Sequence, residues 1–186
     1  MRQLRETGWI HHLGRHAVAC FLTRGDLYQS WTVGRDVFGK LLIDSDGPLN
    51  NGNWQSLAGV WPGAPFYRVY SPIPGKTSAL NVQQDGAFIR RFVPELKDMN
   101  TKYIFQPWTA PKEEQKKAKC IIGQDYPKPI VDHASASKRN IEKFAKVVNA
   151  RKMSRAAEDL TKAGKGSGKR AASGDPSPKK KVAKKG

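Results

Sequence analysis

The chain has little of what marks a disulfide-stabilised, membrane-spanning or β-sheet protein. It contains two cysteines in 186 residues, Cys20 and Cys120, with no CxxC pair, which excludes a disulfide scaffold and favours a reducing compartment. No run approaches the ~20 apolar residues that a membrane-spanning helix needs, and the first residues do not resemble a secretory signal. Strand-like alternation of useful length and internal repeats are absent. We therefore expect a soluble, intracellular protein with no membrane partner.

Acidic residues are also scarce. The chain has 33 Lys and Arg against 16 Asp and Glu, a formal net charge of +17. The excess is densest in residues 161–186, where nine Lys and Arg face the single Asp175. Such a charge suits a polyanionic partner, most simply nucleic acid, although basicity that only aids solubility is the alternative for the rest of the chain.

The spacing of apolar residues predicts an all-α fold with long loops. Helices are expected over residues 9–23, 31–43, 55–60, 87–92 and from 137 to about 160. Prolines and glycines divide the segments between them, and residues 66–86 are expected to form an irregular loop. From residue 164 the Gly, Ser, Ala and Lys composition cannot bury a core. We therefore divide the chain into a folded domain at 1–150 and a basic, disordered tail at 151–186.

Residues 42–54 are the most polar stretch of the predicted domain. Asp44 and Asp46 stand two residues apart, Asn50 follows four residues later, and the stretch ends at Trp54. Because Asp, Asn and Gly favour turns and helix caps, we predict a polar loop that enters a helix near Asn53. The loop could cap that helix or contact a ligand rich in hydrogen-bond donors.

Two histidines and two tryptophans are further candidates for chemistry. His12 and His16, at i and i+4, share one helix face. They could be half of a metal site, structural residues, or an acid–base pair in which one imidazole is protonated near neutral pH. We predict no metal, because no Cys or acidic partner lies at ligand spacing. Trp31 and Trp54 could be core residues or take part in cofactor chemistry.

Residues 42–54, together with TGWIHHLGRH at residues 7–16, resemble the flavin-contacting half of the photolyase/cryptochrome family. The paired histidines resemble those of (6-4) DNA photolyases. Further landmarks follow in order at residues 67–72, 89–96, 103–108 and 126–133, so the resemblance covers about residues 1–150. It implies the C-terminal part of the helical FAD-binding domain, FAD as the cofactor, damaged DNA as the partner, and a monomer.

The resemblance also implies roles for residues of the polar loop and the first predicted helix. Asp44, Ser45 and Asp46 would lie along the ribityl and isoalloxazine edges of the flavin, and Asn50 would lie near its N5 atom. Arg15 would pair with Asp44 and tie the helix to the loop. An amide near N5 would tune the redox chemistry of the flavin.

His12 and His16 would be the catalytic pair, because one of them would supply the proton that helps return a hydroxyl to the neighbouring base of a (6-4) lesion. Trp54 and Trp31 match the flavin-proximal and middle members of the family's electron-transfer chain. Tyr28 is a candidate terminal donor.

Three arginines are candidate contacts to DNA phosphates, with a solvated charged face as the alternative. They are Arg68, Arg90 and Arg91.

Two departures from the family pattern keep alternatives open. The resemblance begins midway through the helical domain, so the segment that holds the FAD phosphates would lie upstream of Met1, and we expect a truncated chain. Ser56 stands where photolyases commonly carry a second tryptophan that lines the lesion cavity. Three functions therefore remain: blue-light repair of (6-4) photoproducts, cryptochrome-type light or circadian signalling without repair, and an inactive DNA-binding fragment.

The tail contains the basic run PKKKV at residues 178–182, with further basic pairs at 169–170 and 184–185. This pattern is typical of a nuclear localisation signal, and we expect a nuclear protein. A nonspecific tether to nucleic acid and a contact with a signalling protein partner are compatible uses of the same tail.

Overall fold

The structure is a computed structural model that describes residues 1–61, 69–71 and 85–166, with side chains as far as residue 160. A π-helical turn at Phe21–Gly25 follows α2, and short 3₁₀ turns lie at Pro94–Leu96 and Pro107–Thr109. The helices are α1 Arg2–Thr7, α2 His12–Cys20, α3 Trp31–Leu41, α4 Gly47–Ala58, α5 Ala87–Phe92, α6 Lys112–Lys117 and α7 His133–Gly166.

The described residues contain no β-strand, only an isolated bridge between Ile122 and Tyr126. The expected all-α fold is therefore confirmed. Within the same residues, no helix combines the length and the apolar character required to cross a bilayer.

Side chains at the helix N-termini explain where three of the helices begin. His11 Nδ1 accepts a hydrogen bond from the Leu13 N–H at the start of α2. Ser30 does the same for α3, and Asp46 Oδ1 accepts from the Leu49 N–H at 2.8 Å at the start of α4. Each contact satisfies a backbone donor that has no partner within its helix.

Several predicted boundaries were wrong. The polar loop is shorter than predicted, because α4 begins at Gly47 and Asn50 lies inside it. The Asp46 cap and Pro48 in the first turn start this helix despite the Asn and Gly content. The first predicted helix begins at His12 and not at residue 9, and helix α1 was not predicted.

Two hydrophobic clusters form the core of the described residues. The first joins α1, α2, α3 and α4 through Leu4, Ile10, Ala19, Phe38, Leu42 and Trp54. The second joins the segments from α5 to α6 through Leu96, Met99, Ile104, Ala110, Ala118 and Cys120. The first cluster supports the polar segment between α3 and α4, so the site described below is fixed by core packing.

Polar contacts hold the first turns of α7. The buried Asp26 carboxylate lies 2.7 Å from His133 Nδ1, and Asn140 Nδ2 donates to the backbone oxygens of Gly25 and Asp26. Burial raises the pKa of Asp26, although the hydrogen bond with His133 opposes this shift. These contacts place the beginning of α7 against the corner that follows the π-helical turn.

The chain divides into two compact units, Met1–Ala145 and Lys146–Gly186. In the second unit the described residues continue α7, whose side chains from residue 151 to residue 160 are all exposed. The helix therefore extends past residue 150, the boundary expected from the sequence, as far as Gly166.

Gly34 tests how tightly the first cluster is packed. A Cβ atom at Gly34 would clash with the Trp54 ring, whereas at the exposed Gly39 on the same helix it would meet only Asn50 Nδ2 at 3.7 Å. We expect Gly34→Ala to lower the free energy of unfolding by about 1–3 kcal/mol because of overpacking. Gly39→Ala, the matched control, should be neutral or stabilising by up to about 1 kcal/mol. Urea unfolding of both variants checks this, and equal stabilities would contradict the packing described here.

Candidate functional site

A cavity of about 220 Å³ lies between α2, the segment that joins α3 to α4, and α4 itself. Its wall combines charged, amide and imidazole groups with apolar side chains. The lining residues are His12, Arg15, His16, Ala19, Phe38, Leu42, Asp44, Ser45, Asp46, Leu49, Asn50, Asn53, Trp54 and Leu57. The structure thus brings together both predicted catalytic histidines, every predicted cofactor-binding residue and one of the predicted electron-transfer residues.

Arg15 connects α2 to the segment before α4. Its Nε donates to the backbone oxygen of Ile10 at 2.8 Å, and its Nη2 donates to both carboxylate oxygens of Asp44 at 3.1 and 2.8 Å. The expected ion pair between Arg15 and Asp44 is therefore present. Because the guanidinium is also held by the Ile10 backbone oxygen just before α2, it fixes where the Asp44 carboxylate lies at the cavity wall.

Asp46 and Asn50 are held by contacts at the start of α4. Asp46 is engaged as the helix cap, so the capping interpretation of this carboxylate is confirmed. Asn50 Nδ2 donates to the backbone oxygen of Arg35 on α3 at 3.0 Å. This contact uses the amide nitrogen, and the other polar atom of this cavity-lining side chain, Oδ1, is a hydrogen-bond acceptor.

The histidines form a row of closely spaced rings. The ring centroids of His11 and His12 are 4.5 Å apart, and those of His12 and His16 are 5.6 Å apart. Tyr70 lies at the inner end, with its ring centroid 5.8 Å from that of His16. The prediction that His12 and His16 share a helix face is confirmed.

His16 is partly buried, whereas His12 is exposed. Burial and, to a smaller extent, the neighbouring His12 lower the pKa of His16. Two imidazoles this close disfavour double protonation, so the pair is suited to hold one proton and release it. Across the described residues, no group of three or more His, Cys, Asp or Glu side chains is placed to hold a metal ion.

The two predicted electron-transfer tryptophans belong to one packed cluster. Trp54 is 2% exposed and meets Phe38 edge to face, with ring centroids 5.0 Å apart. Trp31 is partly buried and packs against the cluster that contains Trp54. The Cζ atom of Arg35 lies 5.2 Å from the centroid of the Trp31 ring.

Tyr28 lies three residues before Trp31 in the sequence. Both residues line a second cavity, of about 280 Å³, which shares no lining residue with the first. The Tyr28 side chain is 41% exposed, and Lys143 Nζ lies 5.1 Å from its ring centroid. Its backbone adopts a positive φ of 53°, a conformation that is rare for a residue with a large side chain.

Two of the candidate DNA contacts, Arg90 and Arg91, lie apart from the cavity wall. Arg90 donates to the backbone oxygens of Lys97 and Met99 and to Thr101 Oγ1, at 2.5, 2.8 and 3.1 Å. Its guanidinium therefore holds the turn after α5, a structural use that the sequence did not indicate. Arg91 lies over the Phe92 ring at 5.1 Å. Arg68 and the basic run at residues 178–182 fall outside the described residues.

Part of the cavity wall was not predicted from the sequence. Leu49, Asn53 and Leu57 line it together with Asn50 and Trp54. These five positions follow helical spacing, which places them on one face of α4. The stripe was detectable in the sequence, but the prediction of a loop as far as Asn53 concealed it.

The sequence and the structure both resemble known proteins. A family model described as the FAD binding domain of DNA photolyase matches residues 1–146. A (6-4)DNA photolyase of Oryza sativa subsp. japonica is 58% identical over 139 residues, which is 74% of this chain and 24% of that protein. Cryptochrome-2 of Gallus gallus is 48% identical over 147 residues, 79% of this chain and 25% of that protein.

Among solved structures, a bacterial class III photolyase from Agrobacterium tumefaciens superimposes with a TM-score of 0.72 at 40% sequence identity. The match covers 80% of this chain and 30% of that one. The chain therefore spans about a quarter of the length of the curated relatives it matches.

Replacing His12 tests the coupling within the pair. In His12→Ala the pKa of His16 should rise, because a neighbouring charge is removed, but it should stay below its ordinary value of 6.5, because burial is the larger cause. NMR titration of the imidazole signals measures it. His11→Asn, which keeps a cap for α2 and leaves His12 in place, is the control and should not change the pKa of His16. An unchanged or lowered pKa in His12→Ala would show that the two rings are not coupled.

Proposed function

Because this chain belongs to the photolyase and cryptochrome family, we propose that it is the part of a light-driven flavoprotein that repairs (6-4) photoproducts in DNA. The observation that carries the proposal is the His12–His16 pair on the wall of the cavity that also contains Arg15, Asp44 and Asn50. A proton donor and a set of groups suited to a flavin thus meet in one place. The 58% identity to a (6-4)DNA photolyase supports this choice within the family.

FAD is the cofactor of this family, and the residues of the cavity fit part of it. A cavity of about 220 Å³ is smaller than the roughly 300–1,000 Å³ of a complete small-molecule site, so it suits one ring system and its substituents and not a whole dinucleotide. The apolar side chains of Phe38, Leu42 and Leu57 suit the faces of an aromatic ring, while Asp44 and Asn50 offer acceptors to polar edges. When bound, the flavin supplies light absorption and one-electron chemistry.

The residues of the cavity would divide the binding and the proton chemistry between them. Arg15 holds the Asp44 carboxylate in position and neutralises it, so that Asp44 can accept a hydrogen bond without the cost of an isolated charge. Asn50 is oriented by α3 and offers its oxygen to the ring edge. His16, whose pKa is lowered by burial, would give up a proton readily, and the His12 ring lies beside it with the two centroids 5.6 Å apart.

Trp54 and Trp31 would carry electrons from the surface toward the cavity. Trp54 lines the cavity and packs in the same cluster as Trp31. Trp31 shares the second cavity with the exposed Tyr28. The order Tyr28, Trp31, Trp54 runs from the exposed surface to the cavity wall that would face the flavin. Electrons that reduce the flavin would have to pass in this direction.

Damaged DNA is the proposed substrate of the whole protein. The net positive charge of the chain suits the phosphate backbone. Arg91 remains a candidate phosphate contact, whereas the hydrogen bonds of Arg90 to the turn after α5 make it a weaker one. The proposed protein acts as a monomer.

A signalling function without repair is the second candidate. Cryptochromes match this chain at 48–50% identity, and the exposed Ser56 occupies a position where the family pattern used above expects a lesion-lining tryptophan. In this case the same cavity would hold FAD, and the tail would contact a protein partner.

A hybrid protein distinguishes repair from signalling. In it, residues 1–146 replace the matching segment of the rice (6-4)DNA photolyase, which supplies the remaining sequence. We expect loss of (6-4) photoproducts from an oligonucleotide under blue light and none in the dark. His16→Ala in the hybrid should lower the repair rate by about 10²–10⁴-fold, the contribution of a general acid. A hybrid that retains FAD and repairs nothing would refute the repair function and favour signalling.

We propose that the basic run at residues 178–182 directs the protein to the nucleus. A reporter protein fused to residues 161–186 should accumulate in nuclei, because a cluster of lysines can be recognised by the import machinery. The control carries Lys179→Ala, Lys180→Ala and Lys181→Ala and should be evenly distributed. A fusion that stays in the cytoplasm would refute the targeting function.

A further inference from the structure

Trp31 has a fixed positive charge beside its ring. Arg35 follows it by one helical turn on α3, with its Cζ atom 5.2 Å from the centroid of the indole. The guanidinium is held from two sides: Nε and Nη2 contact Asp36 Oδ1 at 2.8 and 2.7 Å, and Nη1 donates to Asn51 Oδ1 on α4 at 3.2 Å. These contacts keep the cation close to the indole and stop it from moving freely into solvent.

A cation in this position affects the neutral and the oxidised indole in opposite ways. It is attracted to the electron-rich face of the neutral ring. When the ring loses an electron it becomes positively charged, and the same cation then repels it. The Arg35 side chain is 31% exposed, so water screens this repulsion only in part. The Asp36 carboxylate opposes the effect, but its own side chain is 57% exposed and is screened more strongly.

We propose that Arg35 sets the one-electron reduction potential of Trp31 by making this indole harder to oxidise, and that Asp36 moderates the effect. Arg35 is thus a positioning residue for electron transfer that acts through the charge it places beside Trp31. The use of this effect rests on the proposed function, in which electrons pass from Trp31 to Trp54. The potential itself is a property of this chain that can be measured without flavin.

The electron balance of the affected step is simple. Oxidised Trp54 takes one electron from Trp31, so Trp54 is reduced and Trp31 becomes a radical cation. The positive charge moves outward by this step, toward Arg35. Arg35 therefore makes the step less favourable and keeps the positive charge near the cavity for longer. Removing the charge should shift this equilibrium toward oxidised Trp31.

The backbone contact of residue 35 separates two effects that a mutation could have. Asn50 Nδ2 donates to the backbone oxygen of Arg35, so this contact does not depend on the side chain at position 35. A change of that side chain can therefore alter the charge beside Trp31 and leave the support of Asn50 in place.

The test uses the full chain with the three most exposed tryptophans replaced by phenylalanine. Trp9, Trp61 and Trp108 are 40%, 54% and 41% exposed, and their removal leaves Trp31 and Trp54 as the remaining tryptophans. A photogenerated ruthenium(III) polypyridyl complex accepts one electron from the indole. The absorbance of the oxidised indole is read before it loses its proton. Each variant is repeated with Trp31→Phe, which isolates the contribution of Trp31 by difference.

We expect Arg35→Gln to raise the equilibrium constant for oxidation of Trp31 at least about tenfold, which corresponds to about 59 mV. Asp36→Asn should lower it, since this change leaves the arginine charge unopposed. Arg35→Lys, which keeps a positive charge, is the matched control and should lie nearer to the unmodified chain than to Arg35→Gln. Circular dichroism confirms that each variant is folded.

Opposite shifts in Arg35→Gln and Asp36→Asn are the signature of a charge effect, because a purely structural disturbance would not change sign with the charge. Equal shifts in Arg35→Gln and Arg35→Lys, shifts in one direction for both charge removals, or no shift would each overturn the proposal. The experiment contains neither flavin nor DNA. Its failure would therefore leave the proposed repair function standing, and a failed repair assay would leave this result standing.

Discussion

The position of the Arg15 guanidinium is the constraint on which the site depends. One side chain on α2 joins the backbone just before that helix, through the Ile10 oxygen, to the Asp44 carboxylate in the segment before α4. As a partly exposed ion pair it stabilises the fold by no more than about 1 kcal/mol. Its importance is geometric, because it places the Asp44 carboxylate on the wall of the cavity that α2 also lines. The histidine pair and the polar segment before α4 line that same cavity.

Core packing makes that arrangement rigid. Trp54 belongs both to the cavity wall and to the first hydrophobic cluster, and it lies against Gly34, where no larger residue would fit. The interiors of proteins have few voids and transmit small displacements, so a movement of the tryptophan would disturb α3 as well as the cavity. Residue 35 on the same helix holds Asn50 through its backbone and places its charge beside Trp31. The cavity and the proposed electron path through Trp54 and Trp31 therefore share one packed cluster.

Local sequence signals predicted some elements well and others poorly. Residues 31–41 and 87–92 have clear starts, regular apolar spacing and short lengths, and both helices were found with boundaries wrong by two residues at most. The polar stretch at 42–54 misled the prediction, because Asn and Gly favour turns in isolation. In the protein, the Asp46 cap and the burial of Trp54 outweigh that preference.

Contacts between residues far apart in the sequence were harder to predict. The pairing of Arg15 with Asp44 was predicted only from the resemblance to a known family. The positions of Tyr70 beside His16 and of Arg90 under the turn after α5 depend on tertiary contacts that no local pattern encodes.

The central claim is that these cavity residues form a flavin-binding wall. The most direct test is to measure the binding of FAD by the purified chain. The quenching of flavin fluorescence during a titration gives the dissociation constant, and Asp44→Asn provides the comparison. The account predicts measurable binding that this substitution weakens by about tenfold or more, or about 1.4 kcal/mol. The reason is that Arg15 would lose its charged partner, and one of the two acceptor oxygens of the carboxylate would be replaced by a donor NH₂ group. No binding by the unmodified chain, or equal binding by both proteins, would contradict it.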